Sequence, residues 1–435
     1  MHNKYIHLLL SLLLGLLTAC QAIEIPANNA PMAAAAQPAA GTATSTPTSW
    51  SINPNNGTAA TTIEATPPAA NPTPKPTYTP WPTPTLAITL PPLIRVQPNN
   101  VPDYINPLTG SLVANPNLLD RLPIAIKVAL FPLQTLPPAG ISMADHIYEY
   151  YLEYGLTRLI AVFYGNDVER VGPVRSARIF DAHVANMYNA AFVFGGAYKD
   201  EGTPRDVYGY LEEHIDPKLM INGLVQVCTP YLCRDESISS YNNIFGNTYV
   251  LSQLVTQRGI DNSRRDLATN YFDTLERNGQ ESANQIFLFY SSQSYSYWSY
   301  RPGSKQYFRY QGISYDREKY MELIDRYTGI PISTDNLVVL FVPHGFFYHS
   351  SSTEIIDIQL TGSGPAYLFQ NGQVFEARWE RNDKYKPIAI RKPGGAPLHL
   401  KPGTVFFQVM SAETTLSRKD QAWIFEFEPP EAEED

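Results

Sequence analysis

Leu122-Pro123-Ile124-Ala125-Ile126-Lys127-Val128-Ala129-Leu130 is the run on which the fold turns. It is short, apolar and rich in branched side chains, which reads as a strand buried inside a sheet. Thr157 to Tyr164 reads the same way, and Ala190 to Phe194 supplies a third strand that ends in Gly195-Gly196. Helical spacing falls between them. In Ala144 to Gly155, Ile147, Tyr150, Tyr151 and Tyr154 recur at steps of three and four, with Gly155 at the stop. Further helices are expected over about Ser176 to Tyr188, Asp206 to His214, Thr248 to Arg258 and Arg264 to Asn278. Strands alternating with helices predict an α/β layered domain over residues 101–278.

Past Gly279 the pattern changes. Ile286 to Tyr290, Gln306 to Gln311, Leu337 to Val342, Ile355 to Leu360, Ala366 to Phe369, Val374 to Arg381 and Val405 to Val409 read as short strands, with one helix near Arg317 to Thr328. Gly362-Ser363-Gly364 and Asn371-Gly372 mark turns, the second a strong hairpin signal. The expectation is therefore an α+β chain. Its N-terminal α/β domain is followed by a mostly β domain at 285–428, with an acidic tail at 429–435.

Upstream, the chain carries an address. An apolar run from Ile6 to Leu17, flanked by Lys4, leads into Leu17-Thr18-Ala19-Cys20. The run falls short of the roughly 20 apolar residues that span a bilayer, and it ends in small residues suited to cleavage. Residues 1–19 thus read as a signal peptide. The Leu-Thr-Ala-Cys string resembles the lipobox of bacterial lipoproteins, which implies a fatty-acyl anchor on Cys20. Residues 20–100 are rich in Ala, Pro, Thr and Asn; between Glu24 and Arg95 the only charged residues are Glu64 and Lys75. Such a segment cannot bury enough apolar surface to offset chain entropy and reads as a disordered tether.

The net charge of −9 gives no basic footprint for nucleic acid. Besides Cys20 the only cysteines are Cys228 and Cys233. Outside the cytoplasm a disulfide between them is the ordinary expectation, with two free thiols as the alternative. No Walker, dinucleotide, G-x-S-x-G or H-E-x-x-H string is present, and no cofactor or metal is expected.

Several strings are similar, in order, to one family. Asn106-Pro107-Leu108-Thr109-Gly110, Ala144-Asp145-His146-Ile147-Tyr148-Glu149, Gly155-Leu156-Thr157-Arg158 and Val171-Gly172-Pro173-Val174-Arg175-Ser176-Ala177-Arg178 resemble the N-terminal domain of YerB-type bacterial lipoproteins. Asn336-Leu337-Val338-Val339, Gly362-Ser363-Gly364, Gly372 with Trp379, and Leu400-Lys401-Pro402-Gly403 resemble its C-terminal domain. The family is a pair of domains of unknown function, so the resemblance implies an architecture and a location but no activity or cofactor. The family's Pro-His-Asn string is replaced here by Tyr241-Asn242-Asn243.

Arg175-Ser176-Ala177-Arg178 is the leading site candidate. Ser176 could cap the following helix, whose N-terminus would favour an anion beside two guanidinium groups. Gly195 and Gly196 would let a ligand approach. Alternatively, the arginines pair with Glu149, Glu153 or Asp181. Asp145 and Glu149, four apart, form either an acid pair or an ordinary salt-bridged face with Arg158. His344 and His349 read as turn residues rather than metal ligands. Tyr295-Ser296-Tyr297-Trp298-Ser299-Tyr300 reads as an edge strand or hairpin covering the core, or as a surface that stacks on sugars.

These features point to a lipid-anchored protein on the outer face of the cytoplasmic membrane. It would bind peptidoglycan, another wall polymer or an envelope protein partner, and no nucleic acid. The alternative is a wall-active hydrolase or transferase using N-terminal-domain carboxylates. Replacing Cys20→Ser should leave the chain unlipidated and released from membranes by a salt wash; retention in the washed pellet would contradict the anchor.

Overall fold

The computed structural model describes residues 95–225, 231–238 and 242–431. The signal peptide, Cys20, the tether up to residue 94, Cys228, Tyr241 and residues 432–435 of the acidic tail lie outside the described residues.

The run that opened the sequence reading forms Ile124–Ala129 (β1), and every residue in it is buried. The same holds for His146–Tyr151 (β2) and Thr157–Phe163 (β3). A strand covered on both faces loses the period-two alternation that would betray it. This explains the main correction: the helix expected over Ala144 to Gly155 is β2, antiparallel to β3 with Tyr148 opposite Ile160. Tyrosine and isoleucine at mixed spacing imitated a helical stripe, whereas their β preference prevailed.

The helix expected from Ser176 begins instead at Asp181 (α1, Asp181–Met187). Ala191–Phe194 (β4), Val207–His214 (α2), Met220–Asn222 (β5) and Thr248–Gln257 (α3) follow. Asp206 and Asn247 cap α2 and α3 by accepting from Gly209 N and Val250 N. The helix expected over Arg264 to Asn278 is absent; its centre is the short strand Tyr271–Asp273. There the Asn270 side chain accepts from Ile390 N and donates to Ile388 O, which holds the backbone extended.

The C-terminal half is β-rich, as expected. Its strands are Glu281–Ser282 (β6), Gln285–Phe289 (β7), Tyr295–Arg301 (β8), Gln306–Gly312 (β9), Asn336–Val342 (β10), His344–Ser350 (β11), Thr353–Ile358 (β12), Gly362–Gln370 (β13), Gln373–Arg381 (β14), Val405–Ser411 (β15), Thr415–Lys419 (β16) and Ala422–Glu426 (β17). The helix expected near Arg317 to Thr328 is not formed. The Asp325 carboxylate accepts from Tyr327 N and Thr328 N, and from Gly140 N and Ser142 N, and so fixes a turn instead. The chain is thus mostly β.

Strands of both halves share one eleven-stranded sheet, in the order β6-β14-β13-β10-β15-β2-β3-β1-β4-β5 with Ala389–Arg391 on β14. The junction is β15, which runs parallel to β10 on one side and to β2 on the other, with Phe407 opposite Tyr148. A seven-stranded sheet holds β9, β8, β7, β17 and β16 in that order. Trp298 of β8 is fully buried against Phe406 of β15, with ring centroids 4.7 Å apart.

Successive side chains of β2 point to opposite faces. Glu149 meets Arg309 of β9 in a buried ion pair of 2.7 and 3.2 Å, and also accepts from Thr157 Oγ1. This pair ties β2 to the second sheet. Arg309→Met strands the Glu149 carboxylate without its counter-ion and should lower the unfolding free energy by about 3–5 kcal/mol. Glu149→Leu with Arg309→Met should recover most of that loss in urea denaturation; a double variant as weak as the single would contradict the pairing.

Candidate functional site

The segment Val171 to Arg178 is a strap rather than the start of a helix. Its backbone is tied at both sides: Val174 N donates to Ile244 O, Arg175 N to Lys127 O of β1, and Ala177 N to Gly196 O. Gly195 N returns a bond to Arg175 O. Ser176 therefore caps nothing. Its hydroxyl donates to Gly195 O, and α1 starts five residues later at Asp181. The expected helix-terminus anion site does not form. Gly195 and Gly196 have packing reasons of their own: a Cβ on Gly195 would lie 3.0 Å from Val174 O, and Gly196 has φ +82°. Both let the end of β4 close against the strap.

Below the strap lies a group of charges. Arg178 grips Glu153 with two guanidinium N–H groups, one at 2.7 Å from Nε, and its backbone N donates to Asp181 Oδ2. Asp181, fully buried, also binds Lys127 Nζ at 3.0 Å and the Tyr150 hydroxyl. Burial pushes the Lys127 ammonium down to about 7, although Asp181 opposes the shift. Burial pushes the Glu153 carboxyl up, but Arg178, aided by Arg158 and Lys127, outweighs it and holds the group below its usual range.

Arg158 is different. It is 8% exposed, donates to Ser176 O at 2.8 Å, and has no ion pair among the described residues. Burial, followed by repulsion from Arg178, brings its guanidinium down to about 9. Arg158, Arg178 and Lys127 thus gather around two carboxylates, Glu153 and Asp181.

A cleft of about 450 Å³ opens beside this cluster, lined by Glu153, Ser176, Arg178, Gly195 and, from the C-terminal half, Thr353 and Glu354. Its rim carries the exposed side chains of Tyr154, Tyr198 and Leu224. The hairpin β11–β12, which pairs with no other strand among the described residues, reaches it from the C-terminal half. Phe347 of the hairpin packs edge-on against Tyr210 of α2 at 5.4 Å, and Glu354 Oε2 accepts from Tyr154 N at 2.9 Å.

Other candidates lie elsewhere. Asp145 and Glu149 sit on an extended chain, about 13 Å apart by strand rise, and so are not a helical acid pair. Asp145 accepts from Asn106 Nδ2, Tyr164 N and Gly165 N, stapling the Asn106–Gly110 turn to the sheet. Burial raises its carboxyl to about 6, against those bonds. Glu149 pairs with Arg309, not Arg158. His344 is held by Val342 O and pushed down to about 4 by burial. No group of metal-ligating residues occurs among the described residues. Tyr295 to Tyr300 is an interior strand, with Tyr297 stacked on Tyr310 at 4.5 Å. Cys233 is disulfide-bonded.

Sequence reading passed over Lys127, Tyr150 and the role of Arg158. The signal for Lys127 was present: it is a lone charge at the centre of an apolar strand, which must find a buried partner.

The chain belongs to the YerB-type family of paired domains. Residues 108–261 match the protein of unknown function (DUF3048) N-terminal domain and residues 286–407 match its C-terminal domain. It is 25% identical over 302 residues to a Bacillus subtilis (strain 168) protein named "Putative lipoprotein YerB", covering 67% of this chain and 84% of that one. The crystal structure of YerB protein from Bacillus subtilis aligns with a TM-score of 0.57 at 24% identity, over 70% of this chain and 96% of that chain.

Lys127 gives the cluster a pH signature. The unfolded chain holds this proton up to about pH 10.4, the folded chain only to about 7. Between these values unfolding takes up a proton, so stability rises with pH. Urea midpoints should climb from pH 7 to 9 in the natural chain, and Lys127→Met should flatten the climb. An unchanged slope in the variant would place the titration elsewhere.

Proposed function

We propose that this is a lipid-anchored extracytoplasmic protein whose cleft binds an anionic group of a cell-wall component, such as a peptide carboxylate or a polymer phosphate. The observation that carries this reading is Arg158. A buried guanidinium with no ion pair among the described residues costs free energy, and the Ser176 whose carbonyl Arg158 holds lines an open cleft. An anion entering beside Ser176 would supply the missing charge and meet planar donors suited to it.

The location follows from the lipobox-like string at Cys20 and from the relative named as a lipoprotein. No helix among the described residues is long and apolar enough to cross a membrane. In this reading the N-terminal half serves as an α/β layer. Strands β1, β4 and β5 are parallel, and the cleft lies past the carboxyl end of β4, where open α/β sheets hold ligands. The carboxylates that a hydrolase would need are already engaged, Glu153 by Arg178 and Asp181 by Lys127. That favours binding over catalysis.

Arg158→Met is the test. The variant gives up the bond to Ser176 O and the attraction to Glu153, about 1.5–3 kcal/mol of unfolding free energy at most, and should still fold. Yet the variant should lose co-sedimentation with purified sacculi and binding of muropeptides and teichoic-acid fragments. Undiminished binding would remove the cleft from the reading. Release of new soluble muropeptides by the natural chain would point to an enzyme.

A further inference from the structure

The charges of the cleft are arranged, not merely summed. On the N-terminal side the lining carries Arg178 with its partner Glu153, and Arg158 stands behind Ser176, whose carbonyl it holds. A further carboxylate comes from the other half of the chain: Glu354, the second residue of β12. Only one of its oxygens is used, Oε2 by Tyr154 N. Oε1 makes no hydrogen bond among the described residues. Tyr154 itself has φ +51°, so this bond secures a turn that would otherwise be disfavoured.

A lone anion entering this cleft meets Arg178 but also the carboxylates of Glu153 and Glu354 in the same lining. Like-charge placement of that kind is how sites reject the wrong partner. A ligand with an ammonium group beyond its anion converts the Glu354 carboxylate into an acceptor of a charge-assisted hydrogen bond. The volume of about 450 Å³ suits a group of that size.

We propose that the cleft selects a zwitterion, with the ligand's carboxylate or phosphate beside Ser176 and Arg178 and its free amine held by Glu354 on the β11–β12 hairpin. This rests on the cleft being an anion site and adds the chemical class: an amine-bearing peptide or an aminoacylated polymer, rather than a simple anion. It also assigns each half of the chain a part in one site, the N-terminal half reading the negative group and the hairpin the positive one.

The experiment is calorimetric titration of the full chain, in detergent, with a lysine-bearing wall stem peptide and with the same peptide acetylated on its side-chain amine. The natural chain should bind the free-amine form on the order of tenfold more tightly, as expected for one hydrogen bond to a charged group. Glu354→Gln keeps an acceptor for Tyr154 N, so its melting temperature should not change, and it should reduce the preference to below about twofold. Equal affinity of the natural chain for both peptides would overturn the selection of a zwitterion while leaving the anion site standing. Failure of the natural chain to bind either peptide would overturn the anion site and the inference with it.

Discussion

Everything in this molecule depends on the placement of one late strand. Val405–Ser411 enters between Asn336–Val342 and His146–Tyr151, and it bonds to both in parallel. That insertion makes β2 an interior strand, with the second sheet on one face and α1 on the other. Two consecutive residues of β2 are thereby buried in opposite directions. Glu149 finds Arg309 and joins the sheets. Tyr150 finds Asp181 and Lys127 and forms the base of the charge cluster. Cohesion of the halves and construction of the cleft are therefore consequences of the same hydrogen-bonded register.

The strings that carry the family resemblance are, on this structure, mostly staples. Asn106 holds Asp145. Gly403 N donates to Thr109 O, and a side chain at Gly403 would strike Asp335. Asn336 donates to Lys401 O and accepts from Lys401 N. The strap Val171 to Arg178 is pinned to β1 by its backbone. Its side chains are the exception, because Ser176 and Arg178 face the cleft. Architecture thus explains most of the motif residues without any appeal to chemistry.

Much of the second half was legible because its strands alternate and its turns are marked by glycine. The central strands were legible only where they were purely apolar, as in Ile124–Ala129. His146–Tyr151 was not, since burial on both faces erased its period and left aromatic spacing that mimics a helix. Asn270 and Asp325 ended expected helices through side-chain bonds to distant backbone, which no local window contains. The site was half visible. Ser176, Arg178, Gly195 and Gly196 do line one cleft, but Glu354 joins it only through the hairpin, and Arg158 and Lys127 stand behind it in the sheet.

Arg158 and Arg309 provide a natural comparison. Both are buried guanidinium groups in one sheet system; Arg309 has its carboxylate and Arg158 does not. The decisive measurement is the side-chain N–H spectrum of arginine, recorded by nitrogen-15 NMR while a wall stem peptide is added. The Arg158 signal should shift and sharpen as an anion docks against it, with Arg309 unmoved. A titration in which peptide binds and Arg158 stays still would contradict the cleft as the place of recognition.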